Sequence, residues 1–466
     1  MVVPLHTIVF LPQQYGVVTE MYAYVAFLII FLTFGMETAS FRFTTKEDSD
    51  PKMVFSTAFV AVGVVGILFL INAILFAQPI SDWLRYSDNT EYVVWFALII
   101  SLDAVSSIPL AKLRSQDRAK TFVAINMVNV LVYVGLNIFF LKWVMPFMQN
   151  GGTNSFLEIF FTADTGVGYV FIANLIASSI KFLLLLPVLR GFRGIDFGLL
   201  KQMLRYSAPL LVAGLAGMIN ETLDRILLKR MLYDSLGEES TMRSIGIYGA
   251  CYKISIVISL MIQSFRYAAE PFFFSQAKEK GSRQLYARVM DYFVWAMAGT
   301  FLMVMLYLDL FKYFIPNEVY WEGLKIVPIL LLANVFLGVY YNQSVWYKLT
   351  GKTMHGAYLA IFGAVITLVI NIAFIPEYNY MASAWATFAC YGSMMVASFF
   401  LGQKYYPVPY NVVMNGSILV IALLLWGISF YLPETSIIAN YSMKAVLMIL
   451  FLLSTAALVR PTKKVL

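Results

Sequence analysis

Charge is what this sequence has least of. Asp, Glu, Lys and Arg make up 13% of its 466 residues while 60% are hydrophobic, and the mean hydropathy is +0.76. A chain so poor in charge cannot clothe a water-facing surface, which excludes the soluble classes and leaves a polytopic, all-α membrane protein. Cysteine is nearly absent. Cys251 and Cys390 both fall in apolar stretches, so neither a disulfide framework nor a thiolate metal site is expected. Histidine occurs only as His6 and His355, and no nucleophile motif or glycine-rich phosphate loop is present. No metal or cofactor is expected. The formal charge of +7 could suggest a nucleic-acid partner, but basic residues gathered in loops on one side of a membrane explain it more economically.

What is present is a succession of apolar runs, each long enough to cross a hydrocarbon core of about 30 Å. Thirteen are expected, at 15–37, 53–78, 92–111, 122–147, 166–189, 204–231, 245–274, 286–314, 324–349, 358–375, 381–402, 412–431 and 441–459. Alternate loops then divide the basic residues unevenly. Twenty-one fall on the side of the loop after the first run, including Lys46, Lys278, Arg460, Lys463 and Lys464. Six fall on the other: Arg85, Lys229, Arg230, Arg243, Lys312 and Lys325. The positive-inside rule assigns the first side, and with it the C-terminus, to the cytoplasm.

Under that topology the first run begins outside, and the apolar residues Met1 to Leu11 are too few to cross. They read as the outer end of a helix whose first half is missing, so the expectation is thirteen full spans plus a remnant. An internal repeat agrees with this. Tyr15-Gly16 precedes Glu37 by 22 positions, Tyr248-Gly249 precedes Glu270 by the same 22, and Phe34 and Phe41 match Tyr267 and Phe274 at the same offset. Lys112-Leu113 and Lys348-Leu349 close corresponding runs. Two six-helix lobes of like orientation, related by a pseudo-two-fold axis along the membrane normal, follow, with two C-terminal helices added. Their expected bounds are 1–200, 201–405 and 406–466.

Three stretches carry a family resemblance: VPLHTIVFLPQQYGVVTEMYAYVAF with TFGMETASFRF, RYSAPLLVAGLAGMINETLDRILLKRML, and IYGACYKISIVISLMIQSFRYAAEPFFFSQAKEK. The chain resembles the polysaccharide flippases of the O-antigen and capsule branch within the multidrug/oligosaccharidyl-lipid/polysaccharide exporter superfamily. The resemblance implies export of a polyprenyl-diphosphate-linked oligosaccharide across the bacterial cytoplasmic (inner) membrane by alternating access. It also implies membrane lipids and glycan assembly proteins as partners. A diphosphate cannot cross hydrocarbon bare, so such a protein needs cations facing water inside the membrane.

Four embedded cations are candidates for that work. Lys181 lies about eight residues from the end of its run, deeper than a lysine stem snorkels comfortably, so it lines a cavity, snorkels, or forms a buried pair. Arg225 follows Glu221 by four residues and adjoins Asp224, so it forms an internal ion pair or meets the diphosphate. Lys253 could partner Glu221 or Asp224 across the helix pair, or bind cargo. Arg266 stands four before Glu270 near the cytoplasmic end, and cannot share a face with Lys253. Among the acids, Asp103 sits within LIISLDAVSSIP with no basic neighbour. It carries a proton or pairs with a cation from another helix. Glu37 and Glu270 occupy matching places and either anchor helix ends to basic loops or gate the mouth.

Two other functions remain open within the superfamily: a drug/cation antiporter, and a flippase for the lipid-linked peptidoglycan precursor. A membrane glycan polymerase is not expected, because the outer loop at 148–165 contains no Arg, Lys or His.

Overall fold

In the computed structural model, residues 2–45, 50–152, 165–277, 279–433 and 436–459 are described. Lys46, Lys278, Arg460, Lys463 and Lys464, counted among the basic loops, and most of the outer loop at 148–165 lie outside them. The described residues form helices and no strand. Several helices start where the sequence supplies a starter. Pro51 opens Pro51–Leu75 behind Asp50, whose carboxylate accepts from the Lys52 backbone N–H at 2.9 Å; that bond holds the carboxyl below the usual range. Asn411 caps Val412–Ser429 in the same manner, accepting from the Met414 N–H at 3.1 Å.

Among the described residues, twelve helical stretches are long and apolar enough to span a membrane. One of them, Phe197–Gln276, runs for 80 residues, or about 120 Å at 1.5 Å per residue. No single crossing is that long. The backbone breaks at Gly237, with φ 77° and ψ 171°, inside an exposed stretch at 234–240, so the sixth and seventh expected spans lie on either side of it. With that break the spans among the described residues number thirteen. Val3–Val9 forms a short helix before Pro12–Thr33.

A second break divides the first span from its basic extension. Phe34 and Gly35 both adopt left-handed backbone, separating Pro12–Thr33 from Met36–Thr44. At Gly35 a Cβ would stand 3.2 Å from the Ser207 Cβ, so glycine serves both the turn and the close approach.

The chain divides into two compact units, Met1–Met218 and Ile219–Leu466, with the boundary inside the Phe197–Tyr252 helix. In the first, Thr90–Ser115 is central and packs on Pro51–Leu75 and Gly168–Leu185. In the second, Tyr380–Tyr405 packs on both Val327–Gln343 and Met354–Tyr378. The two C-terminal helices, Val412–Ser429 and Ile437–Val459, both lie on Ser282–Leu306. Trp295 donates its indole N–H to the Thr455 hydroxyl at 2.8 Å, and Lys444 pairs with Asp309 at 3.0 Å.

Small residues allow these close approaches, as membrane helix packing requires. A Cβ on Gly323 would stand 2.5 Å from Ile247 Cγ2 and 2.9 Å from Cys251 Sγ, both on fully buried side chains. Gly323→Ala should therefore lower thermal stability in detergent by an amount typical of overpacking, about 1–3 kcal/mol. Gly427→Ala, where a Cβ meets nothing within 4 Å, should leave stability equal or higher. Equal melting of both variants would contradict this packing.

Candidate functional site

The expected site residues gather into clusters, two in each compact unit. In the first unit Lys181, on Gly168–Leu185, meets Asp103, on Thr90–Ser115, with Nζ to Oδ1 at 2.7 Å. Their side chains are 12% and 27% exposed, so the pair is mostly desolvated. Of the alternatives for these residues, the geometry brings the acid and the cation of two helices together. Near them Asn174 donates to the Tyr22 hydroxyl at 2.9 Å, and Tyr22 and Tyr133 hydroxyls stand 3.5 Å apart. His6 and Asn137 share a buried hydrogen bond of 2.8 Å. These side chains form a polar set inside the first unit.

The second unit holds the cluster around Arg225, which is 6% exposed beside Asp224 at 4%. Arg225 Nη1 lies 2.7 Å from Asp224 Oδ1, and the same nitrogen donates to the backbone carbonyl of Glu221. The guanidinium lies 4.3 Å from the Tyr252 ring centroid and 5.2 Å from that of Tyr248. Tyr248 in turn donates its hydroxyl to the second Asp224 oxygen. Arg225 is thus neutralised by one acid and covered by two rings. The Glu221 carboxylate forms no ion pair with Arg225. It is exposed and lies in no ion pair among the described residues, so the spacing of four from Arg225 does not make the expected pair.

Lys253 opens the 3-10 turn Lys253–Ser255 and is half-buried. Neither Glu221 nor Asp224 comes within ion-pair distance of it, although the charges of Glu221 and Arg225 both act on it. The partnership that was one of its two alternatives is therefore not formed. Among the described residues no hydrogen bond or ion pair holds its ammonium.

Further along the chain, Arg266 and Glu270 approach only to 3.8 Å. Lys348, which was not expected, takes the same Glu270 oxygen at 2.6 Å. Arg266 stacks over Tyr341 at 4.3 Å, and its Nε has no hydrogen-bond partner. A cavity of about 370 Å³ opens here, lined by Gln263, Arg266, Tyr267, Glu270, Pro271 and Phe274. The matching residue of the first unit, Glu37, pairs with Arg114. Both pairs tie the end of one span to the end of a span almost the same distance along the chain.

Three participants escaped the sequence. Lys348 and Arg114 were legible in principle, because the repeat marks the ends of the runs on which they stand. Glu20 is fully buried and accepts from the Tyr86 hydroxyl, 66 residues away; nothing in VVTEMYAY announces that partner.

The apolar spans among the described residues, with paired and unpaired charges on several of them, define a multi-pass helical membrane protein. Solved structures with this fold include the lipid II flippase MurJ in an inward closed conformation, at TM-score 0.66 and 12% identity, covering 96% of this chain and 98% of that one. An inward-facing multidrug resistance MATE family transporter of the MOP superfamily matches at 0.65 and 14%, covering 84% and 90%. The MATE multidrug transporter DinF-BH matches at 0.59 and 16%, covering 87% and 89%. No curated protein matches the sequence. The chain belongs to the polysaccharide biosynthesis protein family, which it matches over residues 1–277.

Proposed function

We propose that this protein is a flippase exporting a polyprenyl-diphosphate-linked oligosaccharide across the bacterial cytoplasmic membrane by alternating access, with its C-terminus in the cytoplasm. Two six-helix lobes, 1–200 and 201–405, would perform the exchange, and the helices of 406–466 would be an addition to them. Glycan assembly proteins are the expected partners. The observation that carries this reading is the half-satisfied cation charge of the second unit. Lys253 has no partner among the described residues, and Arg266 reaches Glu270 less closely than Lys348 does. A group held at membrane depth without a counter-charge is costly unless cargo or water meets it. Lys253 is such a cation, and Arg266 shares its one acid, Glu270, with Lys348; a diphosphate accepts charge-assisted hydrogen bonds from lysine and arginine, and on their different faces the two would meet it in turn.

The paired residues take other roles in this reading. Lys181 with Asp103 holds two helices together, and Arg225 with Asp224 is tied across the Gly237 break by the Tyr248 hydroxyl, while Glu221 stays exposed. Glu37 and Glu270 anchor span ends. Membership of a polysaccharide biosynthesis family favours a glycan cargo over the drug/cation antiporter and the peptidoglycan-precursor flippase.

Deletion of the gene in its native host should leave lipid-linked glycan accumulated in the cytoplasmic leaflet. Lys253→Gln should reproduce most of that defect, lowering export at least tenfold without changing the melting temperature, and Lys253→Arg should restore much of it. Absence of cytoplasmic accumulation in the deletion strain would sink the flippase reading.

A further inference from the structure

The first unit contains a second cavity, remote in sequence from the residues just assigned to cargo. It measures about 390 Å³ and lies where Met36–Thr44, the start of Pro51–Leu75 and the end of Thr90–Ser115 converge. Lys52 and Lys112 line it, with the hydroxyls of Ser40, Thr44 and Ser115, and with the rings of Phe41 and Phe55 as its apolar wall. Lys112 is held in place rather than free to wave. Its ammonium donates to the Val188 carbonyl at 2.7 Å and rests 4.0 Å from the Phe55 ring centroid, and the positive charges of Arg118 and Lys52 act on it.

No acid answers this charge among the described residues. Asp50 is engaged by Arg193 at 2.6 Å, Glu37 by Arg114, and Asp117 forms no ion pair. The internal repeat makes the surplus plain. In the second unit, Lys348 corresponds to Lys112 and Phe274 to Phe41, and Lys348 has Glu270 at 2.6 Å. In the first unit Arg114 has drawn Glu37 away, so Lys112 is left facing a cavity with a second lysine and, among the described residues, no carboxylate. Like charges held together without a counter-ion are unfavourable, and an anion that enters removes the penalty.

We propose that this cavity binds a phosphate-bearing anion at the basic end of the helices, with Lys52 and Lys112 as the charged contacts. Basic pockets between membrane helices on the cytoplasmic side are suited to anionic lipid head groups. Here Ser40, Thr44, Ser115 and Gln116 offer polar contacts to a glycerol and Phe41 and Phe55 an apolar wall to the chain beside it. The volume lies within the range of small-ligand sites, about 300–1,000 Å³. The inference does not depend on the identity of the exported cargo.

The test uses the full chain purified in detergent, with native mass spectrometry and thermal unfolding on titration with phosphatidylglycerol, phosphatidylcholine or inorganic phosphate. Phosphatidylglycerol should bind and stabilise where phosphatidylcholine does not. K52Q/K112Q should weaken that binding at least tenfold, whereas Lys404→Gln, at an exposed lysine in the last turn of Tyr380–Tyr405, should not. Binding of inorganic phosphate at millimolar concentration, lost in the same double variant, would assign the site to the free anion; binding of the lipid alone would assign it to the headgroup. Should K112Q fail to fold for want of its Val188 contact, Lys52→Glu leaves that contact intact and should give the same tenfold loss. Unchanged binding in these variants, or no anion bound above the phosphatidylcholine background, overturns the proposal.

Discussion

Arg225→Leu should be the most damaging single substitution in this chain, costing about 3–5 kcal/mol, as removal of one partner from a buried ion pair does. Both Asp224 and Arg225 are less than a tenth exposed, so the carboxylate left behind could not turn to water. The expected result is loss of monodisperse protein in detergent, or a large fall in melting temperature. Arg225→Lys should fall between the extremes, because an ammonium cannot reach Asp224 and the Glu221 carbonyl while covering Tyr252 with a planar face. The double variant D224N/R225L removes both charges and should recover much of the loss. If R225L instead melts like the parent while export disappears, Arg225 contacts cargo and its structural role is refuted.

The second large effect concerns Asp103 and Lys181. D103N or K181M alone should lower both stability and export, and the reversed pair D103K/K181D should restore a measurable part. A double-mutant cycle on melting should return a coupling of about 0.5–3 kcal/mol, the usual range for residues in direct contact. Partial exposure of Asp103 argues for the lower half of that range. The pair also bears on coupling. An acid with a lysine 2.7 Å away has its charge accounted for without a travelling proton. Export by D103N should therefore keep the parent's dependence on external pH, at reduced rate. A pH response abolished by D103N would return Asp103 to the role of proton carrier.

Hydropathy carried most of the fold, because the membrane dictates span length. Even the break between the sixth and seventh spans was visible as a polar gap, although the helix runs almost unbroken through it apart from Gly237. Site chemistry was less legible. A spacing of four pointed from Arg225 to Glu221, yet the arginine closes on the adjacent Asp224 and takes only a carbonyl from Glu221. Sequence shows which residues share a helix face but not which one a neighbouring helix will cover. Asp103 and Lys181 are 78 residues apart, and only packing could choose between the alternatives each allowed. The same holds for Lys348, whose helix end was marked by the repeat while its partner was not.

Both cysteines are fully buried and free. That makes the native chain nearly silent toward thiol reagents, a condition usually reached only by mutating cysteines away. A single cysteine introduced in the exposed turn at 234–240 would be the one readily labelled thiol. A membrane-impermeant probe applied to intact cells could then report which face that turn occupies, in a protein otherwise unaltered.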